Sequence, residues 1–153
     1  MKSPFASPPQ KPHDAPQTFQ QAVSSYLDTR FPKQPAAPND NVGLTVGALT
    51  TPERGESTLL VLCVDLTEQV LADAVSHRAD CIVSYSPMPD APVRALSTDD
   101  VVGRILLRCA RHQIAVHSIH TACDSAGGGI NDWLARSLTP GAVSTIRPDA
   151  EHI

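Results

Sequence analysis

One short segment concentrates the side chains of this protein that can do chemistry. It reads His117-Ser-Ile-His120-Thr-Ala-Cys123-Asp124 and follows an apolar run. A His and an Asp four residues apart after a strand can point into one cleft, and both side chains bind divalent metals. Two interpretations stay open: a metal or phosphate site, or a capped turn in which His120 bonds only to backbone.

A glycine run follows this segment. Gly127, Gly128 and Gly129 lead into a predicted helix that begins at Ile130. Such a loop exposes backbone N–H groups that can hold an anion at a helix start. The three glycines are therefore an anion-binding candidate.

Two catalytic interpretations are weaker. Cys123 and His120 could form a Cys/His pair in which the thiol is the nucleophile. Residues three apart on a turn, however, rarely bring the thiol and the imidazole into hydrogen-bonding contact. Asp65 ends a predicted strand, where a phosphoryl-accepting aspartate could sit, yet no phosphate-binding lysine motif accompanies it. We favour a loop-capping role for Asp65.

The overall composition excludes several classes of protein. A net charge of −4 and few aromatic side chains argue against a nucleic-acid surface. No apolar run approaches the roughly 18 residues of a membrane-spanning helix. The four cysteines form no Cys-x-x-Cys pair, so we expect buried, reduced thiols. We therefore expect a cytoplasmic protein without a membrane partner, and a mitochondrial location stays open.

Apolar periodicity and capping residues predict a mixed order of helices and strands. Helices are predicted over Thr18–Phe31, Glu68–His77, Ser97–Arg111 and Ile130–Leu138. Strands are predicted over Thr58–Val64, Cys81–Tyr85 and Ile114–His117, after a short apolar segment at Val42–Val46. The unbroken apolar run of Thr58–Val64 is typical of a strand buried on both faces.

This order predicts an α/β domain with a mainly parallel sheet and covering helices. In such sheets, functional residues gather beyond the carboxyl ends of the strands. Those ends are Asp65, the stretch Ser84–Pro87 and the stretch His117–Asp124, which should meet at one edge.

Proline placement sets the expected domain boundaries. Prolines cluster between Pro4 and Pro38, which predicts a disordered, proline-rich leader over residues 1–17. We expect a single α/β domain over residues 18–147 and a tail over 148–153.

Five blocks of sequence match a known pattern in the correct order. They are Asn39–Gly47 (NDNVGLTVG), Val64–Thr67 (VDLT), Asp80–Pro87 (DCIVSYSP), His120–Asp124 (HTACD) and Gly129–Ala135 (GINDWLA). With these blocks the chain resembles the amino-terminal lobe of the Ngg-interacting-factor-three-like family, also described as GTP cyclohydrolase type-2-like. The resemblance implies two similar α/β lobes, a dinuclear metal site between them, ring-shaped oligomers and the label of metal-dependent hydrolase.

The chain departs from the family pattern at the metal ligands. The resemblance implies two histidines before a proline, an Asp from H-T-x-x-D, and a distal His and Glu expected beyond Ile153. Tyr85 and Ser86 occupy the two histidine positions, and only Asp124 matches a ligand. His120 matches the motif histidine, which we interpret as a supporting residue. Because a dication needs several donors, we expect no tight two-metal centre and no cofactor.

Three hypotheses for function follow. The favoured one is a non-catalytic interaction or oligomerisation module with a degenerate metal site, bound to itself or to a protein partner. The alternative is a metal-dependent hydrolase of a nucleotide-like or phosphorylated small molecule. It would hold zinc, manganese or iron through Asp124, His120 and ligands from another subunit or lobe. The third is an incomplete gene model of an active enzyme.

Overall fold

The computed structural model describes residues 18–33, 39–48, 58–138 and 141–144. The expected leader and tail lie outside the described residues. The helices are α1 (Phe19–Arg30), α2 (Glu68–Ser76), α3 (Val101–His112), α4 (His120–Ser125) and α5 (Ile130–Leu138). The strands are β1 (Gly43–Val46), β2 (Leu60–Cys63), β3 (Cys81–Ser84) and β4 (Ala115–Ser118). None of the helices in these ranges is long and apolar enough to cross a membrane.

The described strands form one sheet in the order β1-β4-β3-β2. Strands β2, β3 and β4 run parallel, with Leu60 beside Cys81 and Cys81 beside Ala115. Strand β1 joins the other side of β4 in the antiparallel direction. The expected α/β class with a mainly parallel sheet is confirmed, and the apolar segment at Val42–Val46 supplies the antiparallel strand.

The core lies between the sheet and helices α2 and α3. Ile82 and Val116 of the central strands pack there with Leu71 of α2 and Ile105 of α3, all fully buried. Every residue of β3 and β4 is buried. Burial on this scale is the main favourable term for a domain of this size.

Helix starts follow their capping residues, with one correction. Thr18 caps α1 through Gln21, and Thr67 caps α2 as expected. The predicted start of the third helix at Ser97 is wrong. The carboxylate of Asp100 accepts a hydrogen bond from the amide of Gly103, so α3 begins at Val101. Ser97 lies in the preceding loop, where its hydroxyl bonds to Asp99.

The expectation that the first parallel strand is buried on both faces is also wrong. Strand β2 lies at the sheet edge among the described strands, and its residues alternate between half-buried and exposed. Leu62 is 73% exposed and Val64 is 65% exposed. Val61 and Cys63 point the other way and pack against the core. A continuous apolar run predicts that a strand is buried, but it does not show which element covers each of its two faces.

Gly103 provides a test of how closely the loop before α3 packs. A Cβ added there would lie 1.9 Å from the carbonyl oxygen of Ser97. We expect Gly103→Ala to lower the free energy of unfolding by about 1–3 kcal/mol, because overpacking outweighs the helix propensity of alanine. Urea denaturation measures this. The control Gly127→Ala, where a Cβ meets nothing within 4 Å, should be close to neutral, and equal effects at both positions would contradict the prediction.

Candidate functional site

The carboxyl ends of the parallel strands meet at one edge, as the strand order requires. Two buried serines, Ser84 and Ser118, end β3 and β4, and their hydroxyl oxygens lie 3.1 Å apart. The amide of Met88 donates to the Ser118 hydroxyl, which ties the loop after β3 to the end of β4. This arrangement brings Tyr85 and Ser86 beside the segment that follows β4.

Tyr85 is paired with Asp124. The phenol donates to the carboxylate, with oxygen–oxygen distances of 3.1 Å to Oδ1 and 3.0 Å to Oδ2. Burial raises the pKa of Tyr85, and the hydrogen bond to Asp124 raises it further. The phenol therefore keeps its proton and shares it between both carboxylate oxygens.

His120 is held by a carboxylate that the sequence interpretation missed. Nδ1 of His120 lies 3.0 Å from both oxygens of Asp40. The Thr121 amide and hydroxyl also donate to Asp40. Burial alone would raise the pKa of Asp40, but the hydrogen bonds from Thr121 and His120 outweigh it and leave the pKa lowered. The capped-turn interpretation of His120 as a purely backbone-bonding residue is therefore wrong.

The Tyr85–Asp124 pair and the His120–Asp40 pair are in contact. The rings of Tyr85 and His120 meet edge to face, with centroids 5.2 Å apart. Helix α4, which the sequence interpretation took as a turn, carries both His120 and Asp124 and so sets this spacing. The signal for Asp40 was its place in the Asn39–Gly47 block, 80 residues before His120.

Ser86 does not join this cluster. Its hydroxyl donates to Oδ1 of Asp65 over 2.6 Å, which links the loops after β3 and β2. This bond agrees with the loop-stabilising role expected for Asp65. Ser86 occupies the second histidine position of the family pattern, and there it holds the loop after β2 through Asp65.

These residues do not fit a dinuclear metal centre. In the described ranges, no three side chains of His, Cys, Asp or Glu type come together as a metal-binding group. Both oxygens of Asp124 accept from a phenol, and Nδ1 of His120 faces Asp40. A borderline dication needs three or four nitrogen, oxygen or sulfur donors. Asp124 alone cannot supply them.

The glycine loop is closed by contacts within the chain. The carbonyls of Gly127 and Gly128 accept from Arg30, and the amide of Gly128 donates to Asp132. The amide of Gly129 donates to Ala126, and a Cβ there would lie 2.0 Å from a backbone oxygen of α4. Close approach of two helices explains Gly129. The anion site at Gly127–Gly129 stays a prediction. The hydrogen bonds to Asp132 and Ala126 do not favour it, because they already use the amides of Gly128 and Gly129.

The sequence model of Duf34/NIF3 (NGG1p interacting factor 3) matches residues 20–153. The chain belongs to this family. A GTP cyclohydrolase 1 type 2 homolog of Bacillus subtilis is 32% identical over 128 residues, covering 84% of this chain and 33% of that protein. The NIF3 homolog of Schizosaccharomyces pombe is 40% identical, covering 74% and 41%.

Solved structures of the NIF3 family show the same fold. A Bacillus cereus protein related to NIF3 has a TM-score of 0.65 at 33% identity, over 76% of this chain and 31% of that one. A Staphylococcus aureus hypothetical protein has a TM-score of 0.67 at 27% identity, over 84% and 41%. The chain thus spans between 31% and 41% of the length of these curated and solved relatives.

Three of the four cysteines of this NIF3-family chain are buried as expected, whereas Cys63 of the edge strand β2 is only half-buried. Cys123 is a free, buried thiol, and burial followed by the charge of Asp124 raises its pKa. Because the thiolate is the nucleophile, this environment argues against a catalytic cysteine. Cys81 and Cys109 are buried as expected, with pKa values raised to about 12.

His117 is a buried histidine that the site does not use. It is 2% exposed, its Nδ1 has no partner among the described residues, and its Nε2 lies 3.7 Å from Asp28. Burial lowers the pKa of His117, although Asp28 opposes this, and Lys33 adds to the lowering. The imidazole is thus held neutral under α1.

The pairing of Tyr85 with Asp124 can be tested by deleting one oxygen. In Tyr85→Phe the Asp124 carboxylate loses its donor while the ring packing is kept. We expect a loss of about 1–3 kcal/mol in the free energy of unfolding, because a partly buried acceptor is left unsatisfied. Urea denaturation measures it. The same change at Tyr26, which is 68% exposed, should be near neutral, and a neutral Tyr85→Phe would refute the pairing.

His117 predicts a pH dependence of stability. Because its pKa is lower in the folded state, the unfolded chain binds more protons below the unfolded value of about 6.5. The free energy of unfolding should therefore fall as pH drops through this value towards the folded pKa. His117→Leu should flatten this decline, as measured by urea denaturation between pH 8 and pH 5. Identical slopes in the two proteins would contradict the prediction.

Proposed function

We propose that this chain is a non-catalytic interaction or oligomerisation module of the NIF3 family, with a degenerate metal site. The observation that carries the proposal is the phenol of Tyr85 donating to both oxygens of Asp124. A ligand carboxylate must offer its lone pairs to the cation, and here both oxygens already accept the hydrogen bond of the one phenol O–H. The phenol supplies the compensation that a bound cation would otherwise provide.

The electrostatics of the edge support the same conclusion. Asp40 is compensated by Thr121 and His120, and Asp65 by Ser86. Each carboxylate of the edge therefore has its own donor from this chain. A hydrolytic mechanism of the metal type also needs a bound water whose pKa the ion lowers, and the described residues offer no group of ligands to hold that ion.

The proposal includes a partner. The family description is that of an interacting factor, and relatives carry the name NIF3-like protein. Exposed apolar side chains such as Leu62 and Trp133 favour a homo-oligomer or a protein partner. The four free cysteines agree with a cytoplasmic, reducing location.

The hydrolase hypothesis has one observation in its favour. The chain spans only 33% of a relative named GTP cyclohydrolase 1 type 2 homolog. Ligands from another subunit or lobe would then have to reach Asp124 and displace the phenol. His120 would act with them as a support held by Asp40.

Metal content separates the two functions. The purified chain is dialysed against excess zinc or manganese, then against buffer, and its metal is measured by mass spectrometry. We expect far less than one ion per chain, because Asp124 is engaged and Ser86 is no ligand. Two tightly held ions per chain would overturn the proposal.

A restored site provides the complementary test. The double change Tyr85→His and Ser86→His removes the phenol from Asp124 and places imidazoles at the two histidine positions of the family pattern. We expect its zinc uptake to exceed that of the unchanged chain by at least tenfold. The matched control places a histidine at exposed Ser125 of α4, which should take up no more zinc than the unchanged chain. Equal uptake by the double variant and this control would show that the cleft geometry is lost.

A further inference from the structure

His117 leaves a polar nitrogen without a hydrogen bond inside the domain. The residue is 2% exposed and lies on β4 under α1. No other buried side-chain nitrogen or oxygen of the described residues lacks a partner as Nδ1 of His117 does. Nε2 lies 3.7 Å from Oδ1 of Asp28, which is beyond hydrogen-bond distance. Since buried polar groups are nearly always bonded, this imidazole calls for a physical explanation.

Two charges of opposite sign act on the imidazole from the described part of the chain. Asp28 of α1 is the anion, and Lys33, just after α1, is the cation. They meet above Gly43, where an added Cβ would lie 2.6 Å from Nζ of Lys33 and 3.8 Å from Oδ1 of Asp28. The residues paired with His117 across the sheet are uncharged: Leu44 of β1 and Val83 of β3. A proton on His117 would therefore face one half-exposed carboxylate and one ammonium.

Helix α1, which covers His117, is held on the sheet by few contacts. Only Leu27 of its 12 residues is buried. Gln20 near its start and Arg30 at its end bind backbone carbonyls of other segments. Elements with few buried contacts open at a lower free energy than the whole domain. A helix of this length is marginal by itself in water, so its amides lose protection once it leaves the sheet.

We propose that His117 is a pH-sensitive switch, in which protonation of the imidazole releases α1 from the sheet while the core under α2 and α3 stays folded. A charged imidazole needs an acceptor at each ring nitrogen, and no described residue offers one to Nδ1 while α1 is docked on the sheet. Release of α1 lets water reach both nitrogens. The switch lies outside the Tyr85–Asp124 pair and does not depend on the proposed function.

The direction of the switch is set by the state in which His117 binds its proton more tightly. With α1 docked, burial lowers the pKa of His117. With α1 released, the imidazole is hydrated and its pKa returns to the ordinary value of about 6.5. The equilibrium constant for release should therefore rise up to about tenfold per pH unit as pH falls from that value to the docked pKa. Below the docked pKa both states are protonated, and the constant should level off.

Hydrogen exchange of the full chain, followed by mass spectrometry between pH 8 and pH 5, tests the switch. Protection factors, corrected for the intrinsic exchange rate, are compared between α1 and α3, whose residues Ile105 and Cys109 lie in the core. We expect the protection of α1 to fall by up to about tenfold per pH unit below about 6.5, while α3 keeps its protection. Constant protection of α1, or an equal loss in both helices, would overturn the proposal.

Histidine variants identify the group that titrates. In His117→Leu the side chain cannot take up a proton, so α1 should keep at pH 5 the protection it has at pH 8. His117→Gln replaces this variant if circular dichroism shows that the leucine variant is not folded. The matched control is His77→Gln, at an exposed histidine after α2, which should behave like the unchanged chain. A loss of protection that persists without His117, or that disappears in the control, would refute the switch.

Two charge changes separate a titrating imidazole from one with only a packing role. The pKa of His117 is measured by NMR titration of its ring protons, and we expect it below about 6.5 in the unchanged chain. Asp28→Asn removes the anion that favours the protonated ring, so the pKa of His117 should fall further. Lys33→Gln removes the cation that disfavours it, so the pKa should rise. Shifts of the same sign, no shift in either variant, or a pKa of His117 at or above the ordinary value would overturn the proposal.

Discussion

Carboxylates at the sheet edge must be compensated, and this constraint organises the site. A carboxylate that leaves water without donors costs several kcal/mol. Asp40 has only 6% of its side chain exposed and is bound by Thr121 and His120 at the start of α4. Asp124, one turn later, is bound by Tyr85. The position of α4 is therefore set by two carboxylates, one on the segment before β1 and one on the helix itself.

The same constraint explains how this edge can be ordered with hydrogen bonds alone. In a metal centre, a cation balances the charge of the ligand carboxylate. Here the neutral phenol of Tyr85 stabilises the Asp124 carboxylate by a hydrogen bond, and burial and Asp124 raise the pKa of the phenol so that it keeps its proton. Ser86 completes the arrangement by binding Asp65 instead of facing Asp124. The two positions that depart from the family pattern thus have defined structural roles.

Local signals allowed much of the fold to be predicted. Apolar runs and caps gave the parallel strands, and the strand order placed Tyr85 and Asp124 at one edge. The sequence could not reveal that Asp40 binds His120, because that contact joins residues 80 positions apart. It also could not reveal the exposure of Leu62, since an apolar strand has the same pattern whether or not a neighbour covers it. Helix α4 was missed because it is six residues long and has no side-chain cap.

The exposed face of β2 and the sheet edge at Asp124 would be completed by different kinds of group, so one partner need not complete both. A helix that covers β2 must be apolar, whereas a group that completes a metal site must bring imidazoles or carboxylates. The exposed side chain of Leu62 lies on β2, whereas Asp124 lies on α4 and accepts from the phenol of Tyr85. Covering the apolar face would therefore leave the hydrogen bonds of Asp124 unchanged.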